Sequence, residues 1–195
     1  SHRIPNQLNS SPMPAPIIVT RPSLQSLADN HDRHESEKLT AKREAKVAKE
    51  WGDLSENAEY KASKEKFRLA GRLQQRMVRE LQHLESSGYT IVDPLDWISA
   101  PTPTSAKVGT ICRVSQNQLT EDYLLVGAKD LHLPMDQSIV PVPYTSPLGQ
   151  ALFGKTAPQT TSASIAGSIR TLEILSLRLP TQTEILDLYP ELTPH

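Results

Sequence analysis

Two long proline-free stretches separated by a handful of residues constrain this 195-residue chain more than any other feature. The first, residues 23–51, also lacks glycine, and Ser23 after Pro22 reads as a helix N-cap. A heptad fit sets Leu24, Leu27, His31, His34, Lys38, Ala41, Ala45 and Ala48 on one seam. In the second stretch, residues 58–84, Ala62, Leu69, Ala70, Leu73, Met77, Leu81 and Leu84 recur at helical spacing. Neither helix can bury its stripe alone. With so short a joint the two must fold back into an antiparallel hairpin. Its turn falls on residues 51–55, and Ser86-Ser87-Gly88 closes its base.

The hairpin uses apolar residues sparingly, which suits a chain that is 37% hydrophobic and 5% aromatic. Such a composition fits an elongated element plus a small compact domain better than one large core. Residues 1–16 are rich in Pro, Ser and Asn and read as a disordered tail. The hairpin then occupies 17–90, and 91–106, with the Pro-rich run 94–106, reads as a linker. Beyond it the period changes to that of strands, expected at 107–115, 122–127, 138–143, 160–165 and 168–178. One short helix is expected at 146–153, with Ser146 as cap, Pro147 at its first position and Gly154 as stop. The fold class is α+β: an antiparallel coiled-coil hairpin, then a domain (107–178) with an antiparallel sheet and one short helix. Residues 179–195, with Glu184, Asp187 and Glu191, read as an acidic tail.

Cys112 is the only cysteine, which excludes an intramolecular disulfide and a Cys-rich zinc site and suits a reducing, cytoplasmic setting. No apolar run has the length of a membrane span, and no secretory leader is evident.

The chemistry concentrates at the turn, Gly52-Asp53-Leu54-Ser55-Glu56-Asn57-Ala58-Glu59-Tyr60. Asp53 and Glu56 stand three apart, a spacing that puts both carboxylates on one side of a helix start. Carboxylate oxygens suit Mg²⁺, but two alone hold it weakly, so the remaining ligands would have to come from another molecule. The same spacing is also that of a capping box, in which Asp53 and Glu56 simply end the helix.

The run GDLSENAEYKASKE resembles the hairpin-tip signature of the bacterial Gre transcript-cleavage factors. Thr145–Lys155 (TSPLGQALFGK), with Leu172-Glu173-Ile174-Leu175 further on, looks like that family's second domain. The resemblance covers roughly residues 17–178 and implies a C-terminal domain of FKBP-like fold. It further implies docking of that domain on RNA polymerase, at Ser146, Pro147 and Leu148 here, with the hairpin entering the secondary channel. Asp53 and Glu56 would then help bind the polymerase's second Mg²⁺, with Ser55, Asn57 and Tyr60 supporting the tip. The chain would be no enzyme itself. It would act as a monomer that activates the polymerase's own endonuclease on the nascent RNA 3′ end, with no small-molecule substrate and no membrane partner. Two stretches depart from the family pattern: 155–161 lacks an expected Gly-Asp, and 128–137 lacks an expected acidic run.

Although the net charge is −1, positive charge gathers on the hairpin. Lys61, Lys64, Lys66, Arg68, Arg72 and Arg76 lie on the second helix, and Lys38, Lys42, Arg43, Lys46 and Lys49 on the first. This face suits sequence-independent contact with extruded RNA, and equally a solvated surface of ordinary ion pairs. His31 and His34, without a third ligand, make a poor metal site. Trp51 reads either as a stacking side chain or as a lid over the turn. A channel-binding regulator that does not cleave, and a plain coiled-coil module, are the competing functional readings.

Overall fold

A computed structural model of the chain describes residues 15–52 and 57–192. Strand β1 (Ile17–Thr20) leads into helix α1 (Arg21–Glu50), and α2 (Ala58–Ser87) returns beside it to β2 (Tyr89–Val92). At about 1.5 Å per residue each 30-residue helix extends roughly 45 Å. On α1 the expected heptad positions are the ones that turn inward: Ala41, Ala48 and His34 are buried and Leu24, Leu27, His31, Lys38 and Ala45 half-buried. Lys38 tolerates the seam because its ammonium rides 5.5 Å from the Phe67 ring centroid. His34 does so by meeting Glu37 through Nδ1 at 3.0 Å. On α2 the expected Ala70, Leu73, Met77, Leu81 and Leu84 are buried or half-buried, and the seam departs from the expected one only in the first turns. Ser63, Phe67, Ala70, Met77, Leu81 and Leu84 face α1, whereas Ala62 and Leu69 are exposed. Ser63 and Phe67 keep the alternating four- and three-residue steps that Ala62 and Leu69 break.

The helix starts one turn earlier than Ser23 suggests. Thr20 is the N-cap, its hydroxyl accepting from the Ser23 amide at 3.3 Å, while Ser23 Oγ donates back to the Thr20 carbonyl at 2.8 Å. Gly88, with φ 75°, turns the chain out of α2, and β2 then pairs with β1 in parallel. The expected tail 1–16 lies outside the described residues up to residue 14, and β1 begins at Ile17.

The C-terminal domain is a five-stranded sheet in the order β5-β4-β3-β7-β6. Its strands are β3 (Ile111–Gln116), β4 (Leu119–Val126), β5 (Ile139–Pro143), β6 (Gln159–Ile165) and β7 (Ser168–Arg178). Neighbours run antiparallel except β4 and β5, which pair in parallel because the chain crosses over between them through residues 127–138. The two hairpin turns, Asn117-Gln118 and Ala166-Gly167, take positive φ throughout, matching the strands' right-handed twist.

Both faces of this sheet are covered. On one, helix α3 (Pro147–Leu152) packs over Cys112, Val114, Leu125, Val142 and Leu172. Cys112 is fully buried there, and burial pushes its thiol up to about 12, so it is an inert core residue. On the other, Trp97, Ile111, Leu124, Val126, Ile185, Leu188 and Tyr189 form a second core. Consecutive Leu124, Leu125 and Val126 therefore point alternately into two cores, the pattern of a central strand.

This second core corrects two expectations. The Pro-rich linker is anchored: Pro94–Ser99 forms a 3-10 helix, and Trp97 lies so close over Gly109 that a Cβ there would meet its ring at 2.5 Å. The acidic tail is structural. Gln182–Leu188 forms helix α4, closed at its start by a reciprocal Thr181–Glu184 capping box. Ile185, Leu188 and Tyr189 at spacing three and one are buried, each worth about 1.5–3 kcal/mol. Its acids stay at the surface, where Glu184 meets Arg178 in a two-pronged pair at 2.8 Å for each bond.

That pair, with the Thr181 amide, holds the Glu184 carboxyl down at about 2 from an ordinary 4.5. Its contribution to stability is thus complete above about 4.5 and fades as pH falls towards about 2. Unfolding free energies measured between pH 6 and pH 2 should show Glu184→Gln destabilised at the upper end and converging on wild type at the lower. A constant gap would refute the assignment.

Candidate functional site at the hairpin tip

Gly52 and Asn57 frame the turn. Trp51 ends α1, its amide donating to the Ala48 carbonyl at 3.3 Å. Gly52 follows with φ 141°, a conformation that a side chain would strain. Asn57 then serves both helices at once. Its Oδ1 accepts from the Tyr60 amide at 3.0 Å, capping α2, and its Nδ2 donates to the Ala48 carbonyl at 3.0 Å, one of the orphan acceptors at the end of α1. One amide side chain thereby clasps the hairpin end. Asn57, expected from the sequence to support the tip, joins the end of α1 to the start of α2 through these two bonds.

Asp53, Ser55 and Glu56 lie outside the described residues, within the four-residue stretch joining Gly52 to Asn57. Tyr60 is half-buried in the first turn of α2, with the Lys64 ammonium 5.8 Å from its ring centroid. Trp51 is 82% exposed. With Val47, Ala62 and Lys66 it lines a groove of about 670 Å³ on the hairpin flank.

The expected RNA-facing residues Lys61, Lys64, Lys66, Arg68, Arg72 and Arg76 are all exposed. Several are tethered loosely: Lys66 to Glu44 across the hairpin at 3.5 Å, and Arg68 and Arg72 to the same Glu65 at 3.9 and 3.4 Å. Pairs this exposed contribute little to stability and leave the charge available. At the far end of the molecule, the expected docking trio is split. Ser146 caps α3, accepting from the Gly149 amide at 3.0 Å and donating to the Pro143 carbonyl at 2.8 Å. Leu148 packs on the core, and Pro147 is the exposed member. His31 brings its ligand atom within 4.8 Å of those of Asp32 and Glu35, a surface cluster that the His31/His34 pairing does not anticipate.

The molecule is thus a slender helical hairpin footed on a two-core β domain, with exposed bases along the second helix. The family model for the N-terminal part of the transcription elongation factors GreA and GreB matches residues 17–87. Transcription elongation factor GreA of Acidiphilium cryptum is 31% identical over 162 residues, 82% of this chain and 96% of its own. GreA of Anaeromyxobacter sp. is 31% identical over 175 residues, 86% of this chain and 98% of its own. The chain belongs to the GreA/GreB family of transcription elongation factors. Among solved structures, GreA factor homolog 1 of Thermus thermophilus aligns with 84% of this chain and 99% of its own at 14% identity and a TM-score of 0.33. Among the described residues no helix is long and apolar enough to cross a membrane.

The Asn57 clasp carries a direct expectation. Asn57→Ala removes an N-cap and the tie from α2 to the Ala48 carbonyl, which keeps only the Trp51 amide, a loss of about 1–2 kcal/mol. Urea unfolding followed by helical circular dichroism should show it. Unchanged stability would mean that the clasp does not hold the end.

Proposed function

We propose that this chain enters the secondary channel of RNA polymerase, hairpin end first, and stimulates cleavage of backtracked RNA. The observation that carries the reading is the Asn57 clasp. It closes the two helices on each other, so the Asp53–Glu56 stretch is the joint of a rod roughly 45 Å long. Family membership and the GDLSEN tip sequence support it.

Two carboxylates are hard oxygen donors that fit Mg²⁺ and are too few to hold it alone, so Asp53 and Glu56 would share the ion with the polymerase. When bound, such an ion supplies Lewis acidity that activates water and stabilises the leaving oxygen of an in-line displacement. Asp53 and Glu56 supply negative charge and orientation there. Gly52 and Asn57 set where the stretch carrying them begins and ends. Water adds to the phosphodiester, the RNA strand breaks, and a new 3′ end is left in the active site. The exposed bases Lys61, Lys64, Lys66, Arg68, Arg72 and Arg76 line the path along which extruded RNA would run, through phosphate contacts that salt weakens. Docking of the β domain is assigned to the start of α3, where Pro147 offers surface and Ser146 and Leu148 hold it in place.

Mixed with a backtracked polymerase complex, the wild type should release short RNA. Asp53→Ala and Glu56→Ala should each lose several kcal/mol of stabilisation, about 100-fold or more in rate, while still binding. Wild type that blocks elongation without cleaving would establish the competing regulator reading instead. Charge reversal at Arg68 and Arg72 should reduce crosslinking of the extruded RNA to the hairpin, most visibly at low salt. Undiminished crosslinking would remove RNA contact from the account.

A further inference from the structure

Away from the tip, one buried carboxylate joins three separate parts of the chain. Asp130 is only 6% exposed. Its Oδ1 accepts from the hydroxyl of Thr20, the N-cap of α1, at 2.7 Å. Its Oδ2 accepts from the Gly127 amide at the end of β4 at 2.9 Å, and from the Tyr189 hydroxyl just past α4 at 3.0 Å. Thr20 and Tyr189 lie 110 and 59 residues away in sequence. The fit is close on every side: a Cβ on Gly127 would come within 3.0 Å of both Asp130 Oδ2 and the Thr20 nitrogen. Neighbouring bonds follow the same junction, from the Ala128 amide to the Ile18 carbonyl at 2.9 Å and from the Ile18 amide to the Tyr144 hydroxyl at 2.9 Å. Lys129 reaches Glu80 on α2 at 2.5 Å.

We propose that Asp130 is a positioning residue, the joint through which the C-terminal segment and the β domain hold the helical rod at one fixed bearing. An acid fits all three partners as they stand. All three partners donate, and a carboxylate accepts from all of them, whereas an amide must turn its own N–H groups towards at least one donor. Burial pushes the Asp130 carboxyl up, and the bonds from Thr20, Tyr189 and Gly127 pull it back. Tyr189 is itself wedged edge-on against Trp97, ring centroids 6.2 Å apart, so the donor that completes the joint is rigidly mounted in the second core.

Geometry makes this joint matter. With a rod roughly 45 Å long, a tilt of about 10° at the base moves the far end by about 8 Å. Chemistry at a shared metal tolerates far less misplacement than that. This consequence for cleavage rests on the function proposed above, but the bearing itself is a property of the free protein and is measured there.

The test places spin labels at Gln75→Cys on α2 and Ser168→Cys on the β6–β7 hairpin, both exposed, with the native Cys112 buried and unreactive. Pulsed dipolar distances should be narrow in the wild-type background. They should shift or broaden by about 5 Å or more in Asp130→Asn and in Tyr189→Phe, which removes one hydroxyl and keeps the ring. Hydrogen exchange within β3, β4 and the hairpin should be unaltered in Tyr189→Phe. Wild-type distances in Asp130→Asn overturn the proposal. If that variant does not fold, wild-type distances in Tyr189→Phe overturn it. A wild type that fails to stimulate cleavage would refute the functional reading and leave this measurement standing.

Discussion

Small side chains set the terms for the rest of the molecule. Where Ala41 and Ala48 of α1 meet Ser63 and Ala70 of α2, the helices bury almost no bulk. Long helices with so thin a seam gain little from each other, since each methylene withdrawn from water is worth only about 0.8 kcal/mol. Stability must therefore be supplied at the ends. At one end Asn57 ties the last turn of α1 to the first turn of α2. At the other, the helices are continuous with the paired strands β1 and β2, and these are bonded to the β domain. The slim seam has a use: it keeps the rod narrow, and larger residues at those positions would thicken it.

The β domain answers this demand with an extra layer. A five-stranded sheet with one short helix can bury one face. Here Trp97, from a stretch rich in proline, and Ile185, Leu188 and Tyr189, from a stretch rich in acids, cover the other. The covering segments are also those nearest the hairpin base. Tyr189 takes part in both tasks: its ring covers the sheet and its hydroxyl reaches the joint at the hairpin base.

Periodicity made the hairpin legible in the sequence, because thirty residues of repeating pattern average out local exceptions such as His34 and Lys38. Strand β7 was legible through its length, Ser168–Arg178 running without Pro or Gly and alternating over Leu172-Glu173-Ile174. Short elements were not. Four residues of β1 carry too little pattern to mark a strand. In α4 the three acids drew the reading towards solvent, although Thr181-x-x-Glu184 and the Ile185, Leu188, Tyr189 spacing carried the helix signal. The linker hid Trp97 for want of any period. At the tip, only the signature sequence singles out Asp53 and Glu56, since a capping pattern has the same spacing. Asp130 was invisible: a lone acid in a loop has no sequence mark, and its partners come together only in three dimensions.

The order in which the chain is made gives Tyr189 one more consequence. Translation delivers the hairpin first and the sheet next, and the segment that locks the two together comes after both. Until then a nascent chain holds a finished rod and most of a finished sheet without the hydroxyl that sets their angle. A product broken off before residue 189 would keep the bonds from Thr20, Ile18 and Lys129 at the junction and lack the last of its fixings.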